Sequence, residues 1–392
     1  MLSATLTWLL ASACGIVVAN LYFAQPLAGP IGQSLGMSPE ATGLIVTLTQ
    51  IGYVFGLLFL VPLGDLVEAR RLTITLIGCV ALAVLAAGLS NGPTMFLAAS
   101  FLVGLLAVVA QVLVPYAAHL APPERRGAVV GNVMGGLMIG IMMARPVASF
   151  IAGIASWHWT FFLSAMVLVV LGVVLARSLP ERRPEAKISY GALIGSMGRL
   201  ALTSRVLQRR ALYHAAMFGA FSLFWTVIPL RLAGPDFGLG QGGIGLFALA
   251  GVAGAIASPI AGRVADRGWT RPATALSMLA VVGAFALSHA GAAGSTLALG
   301  LNVVAAVLLD FGVTTNLVLG QRAIFSLGAG ERSRVNGLYI AIFFLGGAVG
   351  SAIGGWAYAD GGWPLASMIG AAMPLAALIY FATEGRARGA AH

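Results

Sequence analysis

Long apolar segments follow one another along almost the whole of this 392-residue chain. A helix needs about 20 mostly apolar residues to cross the hydrocarbon layer of a bilayer, and about twelve segments meet that requirement. Only 9% of the residues are charged, whereas soluble domains carry about 25%. Because so few charges cannot cover a water-soluble surface, the sequence predicts an all-α membrane protein with twelve transmembrane helices.

The predicted spans form two sets of six. The first set lies near residues 6–29, 40–62, 73–90, 95–117, 128–153 and 159–179. The second set lies near residues 211–233, 243–264, 272–290, 295–320, 335–358 and 364–382. We therefore expect an N-terminal six-helix bundle over 1–179, a polar cytoplasmic linker over 180–210 and a C-terminal six-helix bundle over 211–392.

The positions of the arginines predict the orientation of the chain, because Lys and Arg collect in the cytoplasmic loops of membrane proteins. No Lys or Arg precedes Arg70, and the arginine-rich segments between predicted spans all fall on one side of the membrane. The loops on the opposite side hold Arg231 alone. We therefore expect both termini in the cytoplasm. This distribution also accounts for the net charge of +10 without a nucleic-acid partner.

A related loop occurs in each half, between the second and third predicted spans. It reads PLGDLVEARR over 62–71 and GRVADRGWTR over 262–271. These loops resemble the G-x-L-x-D-R-x-G-R-[RK] signature of the major facilitator superfamily, and the resemblance extends over essentially the whole chain. The second copy matches the signature at Gly262, Asp266, Arg267 and Arg271. The first copy has Leu66, Glu68 and Ala69 where the signature has Arg, Gly and Arg.

The resemblance implies two pseudo-symmetric six-helix bundles that work by alternating access, with a site near the membrane midplane. It also implies that the loops act as a cytoplasmic gate, since an Asp at a helix end can pair with Arg or with the positive N-terminus of another helix. Topology alone is the alternative explanation for the arginines. The gate residues are then Asp65, Arg70, Arg71, Asp266 and Arg267.

The segment ANLYFAQPL over 19–27 resembles the start of bacterial exporters in the drug:proton antiporter branch of that superfamily. This likeness implies a multidrug efflux antiporter in the bacterial inner membrane. We expect a monomer whose partners are a small-molecule substrate, protons and the lipid bilayer.

Two positions depart from the patterns of the superfamily. Many proton-coupled members carry an Arg in span four, one turn before a Gly, but here Ser100 precedes Gly104. Proton coupling through that residue is therefore excluded. Span five of antiporters carries a Gly-Pro pair after spaced glycines, and here Arg145 directly precedes Pro146. The glycine spacing itself is kept, at Gly131, Gly136 and Gly140.

Two charged residues, Arg145 in span five and Asp310 in span ten, lie deep in predicted spans. A charge at the centre of a bilayer costs about 2.5–3.5 kcal/mol on insertion scales, so such residues usually face the protein interior and have a function. A carboxyl group in apolar surroundings holds its proton more firmly than one in water, and we therefore assign proton coupling to Asp310. A structural ion pair is the alternative. Direct pairing of Arg145 with Asp310 stays open.

Uncharged polar residues concentrate in spans one, two, four, seven and ten, which favours a substrate cavity. Any one of them can equally bond a neighbouring helix, which is worth roughly 1 kcal/mol. His214 falls near a span end, where we expect it at the membrane interface. With Arg145, the candidate substrate or ion-pair residues are Asn20, Tyr22, Gln25, Gln50, Gln111, Trp225 and Asn316.

The sequence therefore predicts a secondary transporter that exports small organic compounds in exchange for protons. Efflux of sugars, amino acids or other polar metabolites is the alternative within transport. A membrane sensor or an intramembrane enzyme is the alternative of another class, although the chain leaves no room for a soluble domain. Since there is no Walker-type loop and no Cys/His cluster, we expect no ATP, metal or other cofactor and no enzymatic activity.

Overall fold

The structure, a computed structural model, describes residues 4–122, 125–181, 189–325, 327 and 332–389, which contain helices and no strand. Residues 182–188 of the predicted linker lie outside these ranges. The helices up to residue 178 are α1 (Ala4–Ala19), α2 (Ala28–Ser34), α3 (Pro39–Thr42), α4 (Leu44–Phe55), α5 (Ala69–Gly88), α6 (Pro93–Leu106), α7 (Val109–Leu120), α8 (Arg126–Ile154) and α9 (Trp157–Ser178). The later helices are α10 (Tyr190–Thr203), α11 (Arg205–Ala233), α12 (Gln241–Ala248), α13 (Ala253–Asp266), α14 (Thr270–Leu287), α15 (Thr296–Phe325) and α16 (Arg332–Gly389).

Ten helical stretches of the described residues are long and apolar enough to cross a membrane. The last of them, Arg334–Glu384, has 51 residues and is interrupted at Gly361 and Gly362, where Gly362 has a φ of 61°. Glycine adopts that left-handed conformation at little cost, so one apolar stretch becomes two crossings. Together with the shorter apolar helix α1, the described residues supply the twelve expected crossings, and the predicted all-α membrane fold is confirmed.

The chain forms two compact units. The first unit comprises Met1–Met37 and Leu48–Arg199, and the second comprises Ser38–Thr47 and Leu200–His392. The short early segment of the second unit packs on α16. There the hydroxyl oxygens of Thr47 and Ser351 lie 2.8 Å apart, and a Cβ at Gly43 would lie 2.8 Å from the carbonyl oxygen of Ser351.

The first predicted span of the first unit is not a continuous helix. Between α1 and α2, residues 20–27 form turns in which backbone N–H groups bond to carbonyls three residues earlier, as from Tyr22 to Ala19 and from Gln25 to Tyr22. Pro26 contributes to this break because proline has no N–H to donate and clashes within a regular helix. The interruption places polar side chains of 20–27 inside the bundle.

Glycine contacts bring α1 and α8 close together in the first unit. A Cβ added at Gly15 would lie 2.5 Å from the carbonyl oxygen of Gly136. A Cβ at Gly136 would collide with the backbone of Ala11, and one at Gly140 with the backbone of Gly15. Small residues of this kind allow transmembrane helices to pack backbone against backbone. Two of the three glycines noted in span five therefore serve helix packing.

The same arrangement recurs between α11 and α16 in the second unit. A Cβ at Gly346 would collide with the backbone of Ala215, and a Cβ at Gly350 would collide with the backbone of Gly219. The glycines of span eleven thus meet an Ala and a Gly four residues apart on span seven, as Gly136 and Gly140 meet Ala11 and Gly15. Each unit therefore carries the same small-residue joint.

This joint predicts different effects for two adjacent glycines of α8. Gly136→Ala should destabilise the protein by about 1–3 kcal/mol, the usual range for overpacking, because the new methyl group meets the backbone of Ala11. Gly135→Ala is the matched control, since a Cβ at Gly135 has nothing within 4 Å. Thermal unfolding in lipid nanodiscs measures both, and equal melting temperatures for the two variants would contradict the joint.

Candidate functional site

Asp310 lies in the middle of α15, with only 4% of its surface exposed. Its Oδ1 atom accepts a hydrogen bond of 2.8 Å from the indole nitrogen of Trp225 on α11. A carboxylate that leaves water needs such a donor, because an ionised group buried without one is very costly. The structure thus brings together two residues that the sequence had selected separately.

Aromatic rings surround the indole that contacts Asp310. The ring centroid of Trp225 lies 5.7 Å from that of Phe224 and 6.0 Å from that of Phe247. On α13, Gly254 faces the same turn of α15, where an added Cβ would lie 3.0 Å from the hydroxyl of Thr314 and 3.8 Å from the Cβ of Asp310. The carboxylate of Asp310 is therefore buried, bonded to an indole that itself lies among aromatic rings.

Arg145 is a buried cation of the first unit, with 2% of its surface exposed. Its Nε donates a hydrogen bond of 2.7 Å to the amide oxygen of Gln25, and its guanidinium carbon lies 5.1 Å from the ring centroid of Tyr22. An Arg over an aromatic face gains a favourable electrostatic interaction. The interrupted segment 20–27 thus supplies two contacts to Arg145, which the sequence had placed on a different span.

Two other polar candidates of the first unit, Asn20 and Gln111, bond to neighbouring helices. The amide nitrogen of Asn20 donates to the carbonyl oxygen of Ile16 at 2.9 Å, and its amide oxygen accepts from the Ser164 hydroxyl at 2.6 Å. Gln111 on α7 donates to the hydroxyl of Tyr53 on α4 at 3.3 Å, and Gln50 is buried on α4. For Asn20, these contacts favour the packing role that the sequence left open.

His214, which the sequence predicts to lie near the membrane interface, is buried inside the second unit. It is only 1% exposed, because aromatic rings of α11 and α16 enclose it. Its centroid lies 4.7 Å from that of Phe343, and its Nδ1 lies 3.4 Å from the amide oxygen of Asn316. Asn316 in turn donates to the hydroxyl of Ser277 at 3.3 Å. A lone histidine near a span end gave no signal of this network.

Arg231, the arginine assigned to the side opposite the basic loops, is held by several groups of the second unit. It donates to the amide oxygen of Asn302 at 3.0 Å, and its guanidinium carbon lies 4.7 Å from the ring centroid of Trp363. Just beyond α14, partial burial and the positive charge of Arg231 hold the pKa of His289 below its usual value. Arg231 therefore fastens helix ends together.

The two repeated loops make different contacts. In the first, the carboxylate of Glu68 accepts from the backbone nitrogens of Arg70 and Arg71 at 2.8 and 2.9 Å and so caps α5. The Arg70 side chain donates to the carbonyl oxygen of Ala176 at 2.5 Å and lies 3.7 Å from Glu181. Asp65 ends a short 3₁₀ turn. The Glu that departs from the signature thus has a structural role.

In the second loop, Asp266 ends α13 and forms an ion pair of 2.6 Å with Arg322 at the end of α15. The sequence interpretation had emphasised Arg267, the residue directly after Asp266, whose side chain is exposed. Arg322 belongs to one of the arginine-rich segments between predicted spans, which the sequence used only to predict orientation. The spacing of the loop signature contains no information about it, because the partner lies 56 residues further along the chain.

Comparison with known proteins agrees with this architecture. Residues 7–324 match the Major Facilitator Superfamily. The Escherichia coli O157:H7 protein named Uncharacterized transporter YgaY is 37% identical over 378 residues, which cover 96% of this chain and 95% of the relative. The Purine ribonucleoside efflux pump NepI of Salmonella paratyphi A is 24% identical, over 94% of this chain and 90% of the pump.

The fold is shared with a solved structure as well. The crystal structure of the nucleoside transporter NupG superposes with a TM-score of 0.77 at 14% identity and covers 97% of this chain and 99% of NupG. At that identity the likeness concerns the fold alone. The family match over most of the chain, the YgaY relative and the shared fold lead to one conclusion: this protein is a multi-pass membrane transporter that belongs to the Major Facilitator Superfamily.

Proposed function

We propose that this transporter exports small organic compounds from the bacterial cytoplasm in exchange for protons, by alternating access across the inner membrane. The observation that carries the proposal is the buried carboxylate of Asp310, in contact with Trp225 inside the second unit. An ionisable residue within a span is costly and usually marks an ion or substrate pathway. The arginine-rich loops and both termini lie in the cytoplasm in this proposal.

Asp310 supplies the chemistry that proton coupling requires. A carboxyl group in apolar surroundings is easier to protonate than one in water, while a hydrogen-bond donor or access to water favours its ionised form. In the proposed cycle, Asp310 takes up a proton when it is reached from outside. It releases the proton to the cytoplasm when it is reached from inside, and substrate travels in the opposite direction.

Asp310→Asn tests this role, because asparagine resembles the protonated acid permanently. In proteoliposomes with an imposed proton gradient, the variant should lose uphill transport by at least tenfold and keep downhill exchange. Asp310→Glu should retain partial coupling with a shifted pH profile. Asp360→Asn is the matched control, since it makes the same change at an exposed carboxylate. Unchanged proton stoichiometry in Asp310→Asn would show that another group carries the proton.

Arg145 is the second functional residue of this proposal. Its guanidinium group orients an anionic group beside Gln25 and Tyr22. Arg145→Ala should impair transport more than Arg145→Lys, and neither should match the wild type. Lysine keeps the charge but not the planar fork that reaches Gln25 and lies over Tyr22. Arg126→Ala, at the exposed start of the same helix, is the control. Initial transport rates measure the difference, and full activity of Arg145→Ala would exclude the role.

The pair formed by Asp266 and Arg322 acts as a gate contact at the cytoplasmic ends of α13 and α15. An exposed ion pair contributes only about 0–1 kcal/mol to stability, so its loss should not unfold the protein. Asp266→Asn and Arg322→Gln should each slow transport severalfold while substrate binding is kept. The exchanged pair Asp266→Arg with Arg322→Asp should recover part of the rate. Wild-type rates in both single variants would reduce these residues to topology markers.

Purine ribonucleosides are a second candidate substrate class. The NepI pump transports them and resembles this chain over most of its length. Near Arg145 the first unit brings together an amide, a guanidinium group and an aromatic ring, from Gln25, Arg145 and Tyr22. These groups suit a heteroaromatic base with hydrogen-bonding edges. Proton-driven transport of inosine, compared with that of a lipophilic cationic dye, separates this class from the apolar drugs.

A further inference from the structure

We propose that Trp225 is the positioning residue that sets the pH at which Asp310 gains and loses its proton. The proposal rests on the proposed function, in which Asp310 is the proton carrier. Trp225 had been selected as a substrate contact, but the structure gives its one polar atom a different task. Its indole nitrogen lies 2.8 Å from Oδ1 of Asp310, a length typical of a charge-assisted hydrogen bond.

The chemistry of the indole makes this contact sensitive to the charge of Asp310. The indole N–H can only donate, and a hydrogen bond donated to a carboxylate is roughly twice as strong as one between neutral groups. Trp225 therefore stabilises the ionised acid more than the protonated acid. Loss of the N–H would leave Asp310 protonated up to a higher pH.

The ring of Trp225 is held in the position that this role requires. It is 1% exposed and packs against Phe224 and Phe247. Gly254 leaves room for α13 beside the turn of α15 that carries the carboxylate. Because both partners are fixed by packing, the N–H is directed at the carboxylate before any proton arrives.

Other charged or titratable groups of the second unit lie on the helices packed against α15. For two of them, contacts show which turn of α15 they lie beside. His214 contacts Asn316, and Arg231 contacts Asn302, both of which lie more than one helical turn from Asp310. Arg263 and Asp266 lie in the last turn of α13, and Arg271 lies in the first turn of α14. The titratable groups of the first part of α16 include Arg334, Tyr339, Tyr358 and Asp360.

Infrared spectroscopy measures the proton on Asp310 without a substrate. The purified full chain in lipid nanodiscs is titrated with acid, and the C=O stretch of protonated carboxyl groups is recorded. The band that disappears in Asp310→Asn is assigned to Asp310. In Trp225→Phe the midpoint of that band should rise by about one pH unit. Trp225→His keeps a ring N–H and should return the midpoint toward the wild-type value.

Trp363→Phe is the matched control, because Trp363 is also buried and donates its indole N–H, at 3.1 Å, to the neutral hydroxyl of Ser288 in the same unit. In Trp363→Phe the midpoint of the Asp310 band should equal that of the wild type. The pH profile of proton-driven transport should shift with the infrared midpoint in Trp225→Phe. A merely structural Trp225 would lower stability and rate without moving either midpoint.

The outcomes separate this inference from the proposed function. A titrating Asp310 band with the same midpoint in wild type and Trp225→Phe would overturn the role of Trp225 and leave Asp310 as the carrier. An Asp310 that never protonates in the working pH range would overturn both. If Trp225→Phe does not fold, ¹⁵N-indole spectra of the native chain replace it. The chemical shift of one indole signal should then change with pH at the infrared midpoint, and this change should disappear in Asp310→Asn. If no indole signal changes with pH at that midpoint, the contact is refuted.

Discussion

The burial of one carboxylate governs the interior of the second unit. Asp310 is almost completely removed from solvent on α15, where an ionised acid is costly and a neutral acid is much less so. The charge of the residue and the structure around it are therefore linked. A surrounding that supplies a hydrogen-bond donor, as Trp225 does, favours the ionised acid. An apolar surrounding without a donor favours the protonated acid. That linkage is what a proton-driven machine needs.

Such a linkage works only if the surroundings of the carboxylate are well defined. The glycine joints provide this definition, because α11 meets α16 backbone against backbone at Gly219 and Gly350, which leaves few alternative packings. α11 is also the helix that carries Trp225. The first unit uses the same joint between α1 and α8, and α8 carries Arg145. In both units a helix locked by glycines carries a buried polar residue.

The sequence predicted the fold because lipid imposes a simple requirement. Apolar residues must face the hydrocarbon over about 20 positions, and that pattern can be read without any knowledge of the contacts. Gly136 and Gly140 were noted through the resemblance to antiporters, and their role in helix packing comes from the structure. Asp310 and Arg145 were found because a charge within an apolar run is conspicuous. The sequence left direct pairing between these two residues open.

The partners of those residues could not be found in the same way. The Trp225–Asp310 contact joins residues 85 positions apart, and the Arg145–Gln25 contact joins residues 120 positions apart. Both depend on how helices rotate about their axes, which hydropathy does not encode. Asn20 and Gln25 were indistinguishable as polar residues of one span, yet one bonds Ser164 and the other bonds Arg145. The burial of His214 could not be predicted either, because the neighbouring rings of α16 come from distant sequence.

The repeated loops show how a shared sequence pattern can lead to different contacts. The N-terminus of α5 needs acceptors for its first backbone N–H groups, and Glu68 supplies two, at the position where the superfamily signature has a glycine. Arg70, two residues after Glu68, then bonds the loop to the end of α9. In the second loop the aspartate of the signature itself makes the fastening, through Arg322. Where the first loop departs from the signature, a glutamate cap and an arginine bond hold the helix ends, in place of the aspartate–arginine ion pair of the second loop. Equivalent loops of the two units therefore make different contacts.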